Sequence, residues 1–162
     1  MFPTQEATAP MKPDLRTRLF HAWFLLTRPM TLGVRALALD EGGRVLLVRH
    51  TYVDGWHLPG GGVETGETVH DALEKELREE ANAELGAPPR LHSIHFNRQA
   101  TRRDHVVLFH CDKVRQFAPK SRDREIIAAE FFDPDALPEG VTRSTAARIR
   151  EFREGIAPDP YW

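Results

Sequence analysis

Apolar residues in this chain recur in two ways: as short continuous runs and with a helical repeat. Residues 31–39 and 44–50 are strand-like, and the second contains the unbroken run Val45, Leu46, Leu47, Val48. Runs of this kind suit strands covered on both faces. Asp40-Glu41-Gly42-Gly43 between them reads as the turn of a hairpin. Residues 91–97 and 105–114 predict a second strand pair, and residues 124–132 a further strand that stops at Asp133-Pro134. Three segments carry helix signals. Asp14 can cap a helix ending before Pro29. Thr68, with Asp71 three residues on, can cap one from Val69 to about Ala81. Thr142 can cap one to about Glu154, closed by Gly155. Strands, a helix, more strands and a final helix predict an α/β fold, with helices packed on a mixed sheet.

The first helix is unusual. Leu15, Leu19, Ala22 and Leu26 form one stripe, and Phe20, Trp23, Phe24 and Leu25 widen it on both sides. That arc is too wide for a helix resting on one surface. Three arrangements stay open: a helix packed on its own domain and on a second subunit as a homodimer, an ordinary buried helix, or a helix lying in a membrane interface. The chain then divides into a proline-containing disordered lead-in (1–13), this amphipathic helix (14–28), a main domain (29–157) and a short tail (158–162).

Composition narrows the class. One domain accommodates 162 residues, with 41% hydrophobic and 28% charged. A net charge of −2 gives no general attraction to nucleic acid. The single cysteine, Cys111, cannot form an internal disulfide, which points to a reducing compartment. The apolar run over residues 20–26 is far shorter than the roughly 20 residues a spanning helix needs. A cytoplasmic protein without membrane insertion is expected.

Residues 58–82 carry the candidate chemistry. Gly60, Gly61 and Gly62 make a loop where backbone can approach a ligand closely. On the following helix, Glu79 lies about 60° to one side of Glu76 and Glu80 about 40° to the other. Val69, Leu73 and Leu77 border the same arc, so the carboxylates sit at the margin of the buried face. An exposed acidic helix face would show the same three glutamates. A glycine loop at fixed distance favours a cation site instead. Oxygen ligands suit Mg²⁺ or Mn²⁺, which commonly join carboxylates to substrate phosphates. Water activated there could attack phosphorus.

This stretch resembles the signature of the Nudix hydrolases, in register at Gly61, Glu67, Lys75, Glu76, Leu77, Glu79, Glu80, Asn82 and Ala83. Lys75 stands where the family has Arg and loses the planar fork. Asn82 stands where the family has Gly and remains a good left-handed cap. The resemblance implies a Nudix-type α/β/α sandwich, here with an extra N-terminal helix. It also implies metal-dependent cleavage of a diphosphate linkage in a nucleoside diphosphate derivative: a nucleotide sugar, an ADP-ribose-like compound, a dinucleotide or a nucleoside triphosphate. A nucleic-acid partner is not expected, a capped RNA end excepted. By carry-over, Glu76, Glu79 and Glu80 are metal carboxylates and one of them a base. The Gly60 carbonyl is a further ligand, and a later acid joins them, Glu125 first and Glu130 behind it.

Outside this stretch, Arg35 and Arg49 could contact phosphate or form surface ion pairs, and Trp56 could stack a base or pack in the core. Arg98, Arg102 and Arg103 could form a lip over an anion or a solvated loop. His57 and His105 could act near the site or be structural. A Nudix-fold binding or regulatory module with little catalysis is the alternative. An isomerase of the isopentenyl-diphosphate type is a third reading, which Cys111 does not favour from its place in a strand.

Overall fold

The structure, a computed structural model, describes residues 14–162. The lead-in expected over residues 1–13 lies outside them. In chain order the elements are α1 (Leu15–Thr27), β1 (Thr31–Ala38), β2 (Val45–His50), β3 (Trp56–His57), α2 (Val69–Ala81), β4 (Ala83–Glu84), β5 (Arg90–Phe96), β6 (Asp104–Cys111), β7 (Arg115–Gln116), β8 (Ile126–Phe132) and α3 (Arg143–Glu154).

The strands form a β1-β6-β5 sheet, a β3-β2-β8 sheet and a small β4-β7 pair. β1 and β6 run parallel, and the other pairs are antiparallel. Two cores flank the sheets. Val34, Ala36, Leu46, Val48, Val107 and Phe109 pack with Leu73 and Leu77 of α2. Leu37, Val45, Leu47, Trp56 and Leu108 pack with Ile149 of α3. The continuous run in β2 thus sends alternate residues into opposite cores, as a strand covered on both faces must. The result is an α/β/α sandwich.

The hairpin expected between β1 and β2 is not formed. A strand has two edges, and both edges of β1 are taken. β6 occupies one, and residues 59–63 run along the other: Val34 N donates to Gly61 O (2.9 Å), Ala36 N to Pro59 O (2.9 Å), and Val63 N to Leu32 O (2.8 Å). The turn at 40–43 therefore hands the chain from one sheet to the other, with only a Leu39–Val45 bridge at its base. This places the glycine loop against β1, where α2 can also reach it.

α2 carries the caps its sequence predicts. Thr68 Oγ1 accepts from Asp71 N (3.1 Å), while Thr68 N donates to Asp71 Oδ2 (3.3 Å). Asn82 closes the helix in the left-handed region, at φ 49°. α1 forms over the expected residues but buries none of them.

Candidate active site

Glu80 is the most deeply set of the helix carboxylates, at 8% exposure. Its Oε2 accepts from Gly60 N at 2.8 Å, which ties the glycine loop to the last turns of α2. Burial pushes the Glu80 carboxyl up to about 7, partly offset by that amide and by Arg35. His50 Nε2 lies 3.5 Å from Glu80 Oε1. Burial, with Arg35 and His57 nearby, holds the imidazole down at about 4. It is neutral at physiological pH, so this contact adds no counter-charge. Glu76 is half-buried, and its carboxyl is raised, again first by burial.

Gly61 explains its own presence. A Cβ there would stand 2.4 Å from Glu76 Oε1. Any side chain would displace the carboxylate. At Gly60, φ is 140° and a Cβ would meet Val34 O at 2.1 Å. Only glycine fits where the loop runs beside β1.

Glu76, Glu79 and Glu80 line one open cleft of about 320 Å³ together with Asp123, Arg124, Glu125 and Ile126. The wall opposite α2 is the loop entering β8. Lys120 Nζ anchors it by donating to Glu79 O (2.6 Å) and pairing with Asp123 (2.7 Å). Asp123 Oδ1 in turn accepts from the amides of Glu125 (2.9 Å) and Ile126 (2.7 Å). Glu125 therefore stands in the cleft. Glu130 sits mid-strand opposite Leu47 and outside it.

Arg35 enters the site by an unexpected contact. Its Nη1 donates to Leu58 O (3.0 Å) and to Gly60 O, the carbonyl expected to hold a cation. Lys75 does not spend its charge on helix neighbours. It reaches back to Glu67, at 3.0 and 3.2 Å from its two oxygens, and to Glu64 at 3.5 Å. Lys75 thereby bridges the loop to the helix. Glu67 itself accepts from Glu64 N (3.0 Å), and these bonds hold its carboxyl below the usual range.

Arg49 and Trp56 are not brought to the carboxylates. β2 alternates, so His50 faces α2 while Arg49 faces the other way. Arg49 lines a separate cleft with Asp54, Gly55, Trp56, Glu139 and Gly140. Trp56 is 9% exposed and packs edge-on against Phe132, with ring centroids 4.9 Å apart, so it is a core residue. The exposed aromatic at the acidic site is Tyr52, at 71% exposure. Its ring lies 5.1 Å from that of His50. Its hydroxyl is raised by partial burial and by the charges of Glu80, Glu125 and Glu76. Thr51 pins this loop to the opposite wall, bonding Glu125 O through its amide (2.8 Å) and Arg124 O through its hydroxyl (2.7 Å). Arg98 stacks on Tyr161 and His105 on Phe96, both away from the cleft.

The donor set is all oxygen and strongly acidic, which fits a hard divalent cation. Among the described residues, no three His, Cys, Asp or Glu side chains are already drawn together at ligating distance. The carboxylates line a common cleft but do not yet converge on one point.

The NUDIX domain family model matches residues 29–154. The chain belongs to the Nudix family. Nudix hydrolases generally use divalent metals. An RNA pyrophosphohydrolase of Halorhodospira halophila is 40% identical over 77 residues, covering 44% of this chain and 42% of that protein. The chain thus spans about two-fifths of that relative's length. Among solved structures, the MutT NUDIX hydrolase from Burkholderia pseudomallei superposes with a TM-score of 0.63 at 22% identity, covering 74% of this chain and 95% of that one. An ADP-ribose pyrophosphatase from Streptococcus suis gives a TM-score of 0.57 at 28% identity, covering 80% and 96%. The Nudix fold is therefore shown.

Proposed function

We propose that this Nudix protein is a Mg²⁺- or Mn²⁺-dependent hydrolase that cleaves a diphosphate linkage in a nucleoside diphosphate derivative by water attack at phosphorus. The observation that carries the reading is one cleft shared by Glu76, Glu79, Glu80 and Glu125 beside the Gly60-Gly61 turn. Glu76, Glu79, Glu80, the Gly60 carbonyl and Glu125 are the groups that would hold the cation. When bound, it supplies positive charge for the carboxylates and the diphosphate together. One of the glutamates takes the proton of the attacking water. Arg35, released from Gly60 O, is placed to meet the substrate phosphate. Tyr52, not Trp56, is the aromatic surface open to a base. Proteins named RNA pyrophosphohydrolase and ADP-ribose pyrophosphatase support the class of substrate and leave its leaving group open.

One observation favours the alternative, a Nudix-fold binding module with little catalysis: the Arg35 guanidinium occupies the Gly60 carbonyl. A panel of nucleotide sugars, ADP-ribose, dinucleotides, nucleoside triphosphates and capped RNA ends, assayed with each metal, separates the two. Metal-dependent turnover of at least one substrate is expected, with Glu80→Gln lowering it on the order of 100-fold or more. Binding without turnover supports the module. Unchanged turnover in Glu80→Gln overturns the assignment of the carboxylates.

A further inference from the structure

α1 is an apolar helix without a surface to rest on. Trp23 is 63% exposed and Leu26 80%, and Leu15, Leu19, Phe20 and Leu25 are exposed with them. Monomeric proteins rarely leave so much contiguous apolar surface in water.

The same chain leaves the edge strand β5 uncovered on one face. α2 lies over β1, β4 and β8, and Val107 and Phe109 of β6 are buried with it. Ile94 pairs with Val107, which pairs with Val34, and Leu91 pairs with Phe109, which pairs with Ala36. Partners in a ladder share a face, and Val34, Ala36, Val107 and Phe109 all belong to the α2-side core. Leu91 and Ile94 therefore face the α2 layer beyond its edge, and they are 60% and 56% exposed. Leu32 extends the bare strip on β1. In an α/β/α sandwich a helix belongs there. The thirteen residues of α1 span about 20 Å. The seven of β5 span about 23 Å.

We infer that α1 of one chain covers the Leu91–Ile94 strip on β5 of a second copy, in a reciprocal two-fold exchange. The second copy is favoured over the chain's own strip because α1 buries no residue against its own domain. A protein partner is favoured over a membrane surface by the distribution of charge. An interfacial helix segregates its polar face. Around α1, Arg16, Arg18 and Arg28 fall at about 100°, 300° and 220° from Leu15, while Phe24 sits at about 180°. A helix apolar on several sides suits burial between protein layers. In the exchange, one side would meet the partner's strip and the other the partner's α1. The inference is independent of the hydrolase reading.

Light scattering of the full chain after size exclusion tests it. The wild type is expected at twice the monomer mass. Leu26→Asp and Ile94→Asp alter exposed residues on different elements, and each is expected at monomer mass with an unchanged circular dichroism spectrum. Mixing the two variants restores a heavier species, because one intact helix and one intact strip remain between them. A monomeric wild type, a dimer that survives either substitution, or a mixture with no heavier species overturns the exchange. A monomer that binds anionic phospholipid vesicles also overturns it and assigns α1 to a lipid surface.

Discussion

At the scale of single residues, Glu80 is held by opposing demands. The fold buries it, and the Gly60 amide keeps it in place. In the protein without metal, the carboxyl lifted to about 7 makes stability depend on pH. Below about 4.5 the group is protonated whether the chain is folded or not. Between about 4.5 and 7 the folded chain keeps a proton that the unfolded chain has lost, so stability falls as pH rises. Glu80→Gln removes this dependence. In chelator, its melting temperature should gain on the wild type from pH 4.5 to 7.5, by an equivalent of roughly 3 kcal/mol at most. Parallel curves for the two proteins would contradict the raised carboxyl. Tyr52 is the second residue to test. A base stacked on its ring contributes roughly 1–3 kcal/mol. Tyr52→Ala should therefore raise KM about tenfold for a nucleoside substrate with little change in kcat, and Tyr52→Phe should behave as wild type. An unaltered KM in Tyr52→Ala would remove it from the binding surface. The sequence offered Trp56 for this part or for core packing, and did not single out Tyr52. Burial is what separates them.

At the scale of elements, α2 was legible almost to the residue. Its cap, its capping box, its left-handed end at Asn82 and its carboxylate arc depend on neighbours three and four positions apart. The short strands β3, β4 and β7 were not legible, since two residues show no periodicity. The β1–β2 hairpin was misread because a turn signal does not say which strand edges are already occupied. The edge of β5 shows the same long-range dependence. Phe96 N donates to Pro160 O (2.8 Å) and Trp162 N to Phe96 O (3.1 Å), so residues 160–162 complete the sheet. Behind this strap, buried Arg148 donates to Tyr161 O (2.8 Å) and Glu151 Oε1 (2.6 Å). His95 Nδ1 donates to Asp159 O (2.6 Å), since that carbonyl can only accept. Deleting residues 159–162 would take one hydrogen-bond partner from each of Arg148 and His95 and expose the core under Trp162. A loss of about 2–4 kcal/mol is expected in urea unfolding. A deletion variant as stable as the full chain would show that the cluster finds other partners.

At the scale of the whole molecule, the residues that handle charge fall into two groups. Glu76, Glu79 and Glu80 share a face by helix geometry alone, and their fixed spacing from Gly61 is written in the chain. These local relations also made the Nudix resemblance readable, because hydrogen bonding along a helix sets the angle between residues whatever surrounds it. Tertiary structure decided the rest. It set Arg35 on the Gly60 carbonyl and Lys75 on Glu67, and placed Glu125 rather than Glu130 in the cleft. It turned Arg49 and Trp56 to the other side of β2, and it left both α1 and the Leu91–Ile94 strip of β5 uncovered. Each of these depends on which strand pairs with which and on which face a layer covers. Such choices join residues far apart in sequence, and hydrophobic pattern and turn chemistry do not encode them one segment at a time.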